Sequence, residues 1–70
     1  MNALVHVAED DNGAVIVLVD WDGFDADERT WEPLRKIHSS APDFVVKELR
    51  KLRLTRALKH KLASEYGISL

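Results

Sequence analysis

Cysteine is absent from this chain of 70 residues, and proline, glycine and aromatic residues are few. Without cysteine there is no disulfide, no thiolate zinc ligand and no cysteine nucleophile, so we expect packing alone to hold the fold, in a reducing compartment. No apolar run approaches the roughly 18 residues that span a bilayer, and the N-terminal stretch lacks the pattern of a signal peptide, so we expect no membrane partner. A chain this short has room for one small core.

Catalytic and metal-binding patterns are missing as well. His6, His38 and His60 lie far apart without the spacing of paired ligands, and the acidic residues around Asp22 lack the spacing of a calcium-binding loop. No glycine-rich phosphate loop or nucleophile elbow occurs. We therefore predict a protein that is not an enzyme and that uses neither a cofactor nor a metal ion.

Charge is unevenly distributed between the two halves of the chain. Residues 1–32 contain nine acidic residues and one basic residue, whereas residues 33–70 contain nine basic and three acidic residues. This asymmetry favours two surfaces with opposite partners. The alternative is that the two halves neutralise each other within one small domain.

Three short β-prone segments come first. The segment 4–7 leads into the turn-forming pair Asn12-Gly13, and the β-branched run 14–19 follows it. The third segment, residues 30–32, stops at Pro33, which cannot donate to a strand ladder. These patterns predict an α+β fold with a curled three-stranded antiparallel sheet and a C-terminal helix packed across it.

The helical region is predicted to begin with Ser40 as a capping residue and Pro42 in the first turn. A first apolar stripe at helical spacing would lie across the sheet; its members are Val45, Leu49 and Leu52. A second stripe begins on roughly the opposite side of a continuous helix; its members are Leu54, Leu58, Leu62 and Tyr66.

Two arrangements explain the change of stripe. In the first, the chain bends, Thr55 caps a second helix and Gly67 ends it, so that the second stripe folds back onto the domain. In the second, one long helix presents the second stripe to a partner, such as a second copy of the chain. The same region carries basic residues that are candidates for contacting nucleic-acid phosphates, namely Arg50, Arg53, Arg56 and Lys59. A solvated helix face is the alternative explanation for these charges.

Two motifs in the acidic half resemble the signature of a chromodomain. They are Leu18-Val19-Asp20-Trp21-Asp22-Gly23-Phe24 and Asp27-Glu28-Arg29-Thr30-Trp31-Glu32-Pro33, and the match extends from about Leu4 to Leu52. The style is similar to that of the degenerate chromodomains found at the ends of integrases in LTR-retrotransposon polyproteins. The resemblance implies a relative of the SH3-like barrels, with residues 1–53 as the chromodomain-like domain and residues 54–70 as a helical C-terminal extension.

The resemblance also implies a binding site. Trp21 and Phe24 match two walls of an aromatic cage for methylated lysine, and Glu28 matches a carboxylate at its edge. A peptide would add itself as a strand at an edge formed by Leu4, Val5 and His6. Trp31 would pack between sheet and helix.

Two features depart from the family pattern. No aromatic residue occurs in residues 1–4, where the third wall of the cage usually originates, and Lys36 would repel a basic peptide. The implied function is nuclear, either binding a histone tail or tethering an integrase to another chromatin protein. The alternatives are homodimerisation of the chromo-shadow type through the C-terminal helix and nucleic-acid binding through the basic helix.

Overall fold

The computed structural model describes residues 1–70 and contains one three-stranded sheet and three α-helices. The strands are β1 Ala3–Glu9, β2 Val15–Asp20 and β3 Thr30–Pro33, and the helices are α1 Leu34–Ser40, α2 Pro42–Arg50 and α3 Arg56–Tyr66. A short 3-10 turn, Ala26–Glu28, lies between β2 and β3. Both strand pairs are antiparallel in the order β1-β2-β3, which confirms the predicted α+β class.

The β1–β2 hairpin turns through a loop that the Asn12-Gly13 pair predicts. The Asp10 carboxylate accepts hydrogen bonds from the backbone N–H groups of Asn12 and Ala14, both at 2.9 Å. Gly13 has a φ of 80°, and no other residue of the loop has a positive φ. This is the three-residue hairpin loop in which a glycine relieves the strain of the left-handed conformation.

One face of the sheet is buried and the other is not. Val15, Val17 and Val19 of β2 are buried, whereas the alternating residues Ile16 and Leu18 are only half-buried. Successive side chains of a strand point to opposite faces, so the three valines define the core side. The buried apolar residues are Leu4, Val15, Val17, Val19, Leu34, Ile37, Val45, Leu49, Leu62 and Ile68.

Helix α1 was not predicted, and its presence explains why one prediction is wrong. Leu34 and Ile37 of α1 are buried in the core. Trp31, expected between sheet and helix, instead lies opposite Leu18 on the outer face of the sheet and is 48% exposed. The side chains from α1 fill the space that the resemblance assigned to the tryptophan.

The start of α2 is predicted only in part. The helix begins at Pro42, as expected, but its N-cap residue is Ala41, without a side-chain cap. The Ser40 hydroxyl instead donates to the carbonyl of Lys36 at 3.2 Å, within the last turn of α1. The capping role of Ser40 is therefore wrong, because that residue belongs to the preceding helix.

The chain bends between α2 and α3, so the alternative of one long helix is wrong. The Thr55 hydroxyl accepts a hydrogen bond from the N–H of Leu58 at 3.1 Å and caps α3. Gly67, with a φ of 67°, ends the helix. Leu62 is fully buried in the same core as the sheet, so residues 54–70 complete the core and do not project from it.

Side chains of α3 fasten the helix to the β1–β2 hairpin. The Tyr66 hydroxyl accepts a hydrogen bond from the N–H of Val15 at 2.9 Å, and the guanidinium of Arg35 lies 4.9 Å from the centre of the Tyr66 ring. Lys61 forms an ion pair with Glu9 at 3.5 Å and donates to the carbonyl oxygen of Gly13. Helix α3 thus provides partners for the hairpin as well as apolar surface.

Glu48 of α2 is the one charged residue buried in the structure, at 5% exposure. Lys51 donates to its carboxylate at 2.8 Å, and this hydrogen bond is the largest cause of the lowered pKa of Glu48. Burial opposes it, while the positive charge of Lys51 and a hydrogen bond from the Leu4 backbone lower the pKa further. Glu48 therefore remains a carboxylate at neutral pH and joins α2 to β1.

Replacing Tyr66 by phenylalanine should destabilise the fold by about 1–3 kcal/mol, because the part-buried N–H of Val15 loses its acceptor. Urea denaturation followed by circular dichroism measures the change. Ser69→Ala is the matched control, since it removes an exposed hydroxyl that makes no hydrogen bond. Equal stability of Tyr66→Phe and the wild type would show that this hydrogen bond does not hold α3 to the hairpin.

Replacing Glu48 by glutamine should lower stability by about 1 kcal/mol at pH 7, because the charged hydrogen bond to Lys51 is lost. The folded-state pKa of Glu48 is lowered. Its contribution is therefore present above the unfolded pKa of about 4.3 and is lost as the pH falls through the lower folded value. Urea denaturation of both proteins from pH 7 to pH 2 should show the difference shrinking in acid. The exposed Glu28, replaced in the same way, should give no difference at either end, and a pH-independent loss for Glu48→Gln would contradict the assignment.

Candidate functional site

The candidate aromatic cage lies on the turn that follows β2. The N–H of Phe24 donates to the carbonyl of Trp21 at 3.2 Å, so the two aromatic residues occupy the two ends of one four-residue turn. Gly23, at its third position, has a φ of 79°. A side chain at position 23 would meet no atom within 4 Å, so the turn requires glycine for its backbone conformation and not for space. We call residues 21–24, together with Glu28, the aromatic turn.

The two aromatic side chains of this turn differ in their surroundings. Trp21 is half-buried against the core, and its indole N–H donates to the hydroxyl of Thr30 at 2.8 Å. That hydroxyl in turn donates to the carboxylate of Glu32 at 2.8 Å, which fixes the orientation of the indole ring. Phe24 is 62% exposed. The turn therefore carries one anchored aromatic ring and one that faces the solvent.

Carboxylates surround the aromatic turn, and only some of them have partners. Asp20 accepts hydrogen bonds from the side chains of Asn2 at 2.7 Å and Arg29 at 3.2 Å. These two contacts, that of Asn2 first, lower the pKa of Asp20. Exposed carboxylates without an ion pair are those of Asp25, Asp27 and Glu28. The turn is thus a negatively charged surface with aromatic groups at its centre.

This arrangement suits an organic cation. The π face of an aromatic ring attracts an ammonium group, and nearby carboxylates add to that attraction. No third aromatic ring joins the turn, because Trp31 lies on the outer face of the sheet and residues 1–4 contain none. No enclosed cavity opens between Trp21 and Phe24. The site is an open surface and not a closed cage.

A groove of about 370 Å³ lies elsewhere, between β1 and the segment that joins α2 to α3. We call it the edge groove. Its lining residues are Val5, His6, Val7, Leu52, Arg53, Leu54, Thr55 and Leu58. Sequence reasoning did not predict this groove, although the change of stripe between Leu52 and Leu54 marks the bend that forms one of its walls.

The three residues predicted to form a peptide-binding strand edge, Leu4, Val5 and His6, differ in their accessibility. Val5 and His6 line the edge groove. Leu4 is only 3% exposed and belongs to the same core as Val45 and Leu49 of α2. Leu4 is therefore not available to a peptide, because α2 covers that end of β1.

The four nucleic-acid candidates are all exposed, and none of them forms an ion pair. Arg50 ends α2, Arg53 lies in the bend, and Arg56 begins α3, with Lys59 close behind. Other cations differ, since Arg29, Lys36, Lys51 and Lys61 each pair with a carboxylate. These four unpaired cations lie around the α2–α3 bend, and we call them the basic bend.

The partner-helix candidates pack against the domain itself. Leu62 is fully buried, and Leu54, Leu58 and Tyr66 are half-buried against the core. Leu54 and Leu58 also line the edge groove. In this arrangement the stripe does not present a continuous apolar surface to a second copy of the chain.

A second apolar surface was also missed by sequence reasoning. Trp31 lies opposite Leu18, and Pro33 lies opposite Ile16, on the face of the sheet that points away from the core. The alternation of side chains along β2 and β3 indicates that one set of residues faces away from the core. Only the observed register shows which set that is.

Comparisons with protein-family models, with curated proteins and with solved structures find no match to this chain. No helix has both the length and the apolar character to cross a membrane. We therefore infer function from the chemistry of the aromatic turn, the basic bend and the edge groove.

Proposed function

We propose that this chain is a non-catalytic chromatin-interaction module that binds a methylated lysine of a histone tail at the aromatic turn. The observation that carries the proposal is the placement of Trp21 and Phe24 at the two ends of one turn among unpaired carboxylates. A methylated ammonium keeps its positive charge but gains apolar surface, so it gains from an aromatic ring and a carboxylate together.

Anchoring of the Trp21 ring supports this proposal. The hydrogen bond from its indole N–H to Thr30 holds one wall of the site in place before a ligand arrives. A pre-organised wall reduces the conformational entropy that binding must overcome. Phe24, which is largely exposed, can move against the ligand from the other side.

The resemblance to chromodomains adds the biological setting of the proposal. It implies a nuclear protein that attaches a larger protein to chromatin, such as the integrase of an LTR retrotransposon. The partner is then a histone tail or another chromatin protein. Because α2 covers the Leu4 end of β1, the proposed contact is limited to the aromatic turn and its carboxylates.

An NMR titration tests this function, with the indole N–H signal of Trp21 as reporter. Histone-tail peptides with trimethyl-lysine should shift the signal more strongly than the unmodified peptides, because only the methylated ammonium has apolar surface for the rings. Phe24→Ala should weaken binding by about tenfold, the equivalent of about 1.4 kcal/mol. Trp31→Ala is the matched control, since it removes an exposed aromatic ring from the outer face of the sheet. Equal affinity for methylated and unmodified peptides would refute the proposal.

Nucleic-acid binding by the basic bend is a second candidate function. The observation that favours it is that four exposed cations without an ion pair lie close together in sequence around the α2–α3 bend; they are Arg50, Arg53, Arg56 and Lys59. Unpaired cations give up no internal ion pair when they contact phosphates. Such contacts add affinity that depends on salt and not on sequence.

Fluorescence anisotropy with a labelled DNA duplex over a range of salt concentrations tests this candidate. If Arg53 contacts a phosphate, Arg53→Gln should reduce the slope of log affinity against log salt by about 0.9. Lys36→Gln is the matched control, because it removes a cation that is paired with Glu32. An unchanged slope for Arg53→Gln, or an equal reduction for both variants, would exclude a specific role of the basic bend.

A further inference from the structure

We propose that the edge groove is a docking site for an extended segment of a partner protein with alternating apolar and acidic residues, which joins the sheet as a fourth strand beside β1. This inference does not rest on methyl-lysine binding, because the groove and the aromatic turn have no residue in common. One wall of the groove, residues 52–58, lies at and beyond the end of the part of the chain that resembles a chromodomain.

The groove runs along the free edge of the sheet. It is lined by the consecutive residues Val5, His6 and Val7. His6 and Val7 pair with Leu18 and Val17, whose side chains lie on opposite faces of the sheet, so both can line one groove only along the strand's edge. Strand β1 is at the end of the strand order, with β2 as its only neighbour.

Backbone groups along this edge are free to bind a strand. No turn, loop, cap or side-chain hydrogen bond involves the backbone of residues 5–7, so their bonds are confined to the β1–β2 ladder. In an edge strand the N–H and C=O groups that point away from the ladder are unpaired. An added strand would supply partners for these groups.

A bulge limits the docking site to one half of β1. The register between β1 and β2 shifts between Leu4 and His6, so Val5 is the extra residue of the bulge. On one side of the bulge, Leu4 is only 3% exposed, and helix α2 packs against this strand. On the other side, Val5 to Val7 face the groove without such a cover. The structure thus closes one half of the edge and leaves the other half open.

The walls of the groove decide the chemistry of the incoming segment. Five of its eight lining residues are hydrophobic, and all five are half-buried, so their remaining apolar surface faces the groove; they are Val5, Val7, Leu52, Leu54 and Leu58. Arg53 is the only charged lining residue, and neither it nor the neighbouring Arg56 forms an ion pair. Apolar side chains of a partner would remove this surface from water, and a carboxylate would complement the arginines.

The first test is an NMR titration of the whole chain, labelled with ¹⁵N, with a short blocked peptide of alternating valine and glutamate. The backbone amide signals of Val5, His6 and Val7 should shift. A peptide of alternating valine and lysine should bind about tenfold more weakly because it repels Arg53, and one of serine and glutamate should bind more weakly because it lacks apolar side chains. Arg53→Gln should reduce the preference for glutamate over lysine, whereas Lys47→Gln, which removes an exposed unpaired cation of α2, should not.

N-methylated peptides test whether the segment binds as a strand. Two peptides are compared, one N-methylated at every valine and the other at every glutamate. Each lacks the N–H donors along one edge of the strand, and the two edges are opposite. One isomer should lose about tenfold in affinity and the other should not, because only one edge faces β1. Equal binding by both isomers would overturn strand addition.

Other outcomes would also overturn the proposal. They are no amide shift up to about 1 mM peptide, equal affinity for the lysine peptide, and amide shifts that depend on protein concentration without any peptide. The last result would show that a second copy of the chain fills the groove. The indole signal of Trp21 should remain still throughout, so failure here is distinguishable from failure of methyl-lysine binding at the aromatic turn.

Discussion

The structure depends on one constraint, which is that a sheet of three short strands has a single face to bury. Val15, Val17 and Val19 supply that face, and no helix of this chain buries more than two apolar residues in the same core. Helices α1, α2 and α3 must therefore all contribute to one core. The bend between α2 and α3 follows from this need, because only a helix that turns back can bring Leu62 to the sheet. The fold leaves the opposite face of the sheet, with Trp31, uncovered.

Some charged side chains of this chain form ion pairs within the domain, and others have no ion partner. Contacts of Lys61 with Glu9 and of Lys36 with Glu32 join the basic half of the chain to the acidic half. These pairs neutralise only part of the negative charge of the first half and of the positive charge of the second half. The carboxylates of Asp25, Asp27 and Glu28 and the cations of the basic bend have no ion partners. The two remaining charges lie on different elements, the β2–β3 connection and the α2–α3 bend. From the sequence, neutralisation within the domain and two surfaces of opposite charge were alternatives. The structure contains ion pairs between the two halves and also unpaired charges of each sign on different elements.

Local signals in the sequence predicted two turns and offered both ends of α3 as one of two arrangements, whereas the cap assigned to Ser40 was wrong. Gly13 and Gly23 have the positive φ values that their turns require, Thr55 caps α3, and Gly67 ends it. Features that depend on tertiary register were not predictable in this way. Helix α1 has only two buried residues in seven, too few for a helical period to be visible, and the exposure of Trp31 depends on its pairing with Leu18. The edge groove forms between segments that are more than forty residues apart in sequence, so no local pattern indicates it.

Helix α2 also separates the two proposed binding surfaces, the aromatic turn and the edge groove. Asp20 pairs with Ala3, so the aromatic turn lies near the N-terminal end of β1, while the edge groove lies along residues 5–7 of the same strand. A single extended ligand could reach both only by passing Leu4, which is 3% exposed and lies in the core with Val45 and Leu49 of α2. The two proposed sites are therefore separate surfaces, one suited to a cation and the other to an acidic, apolar strand.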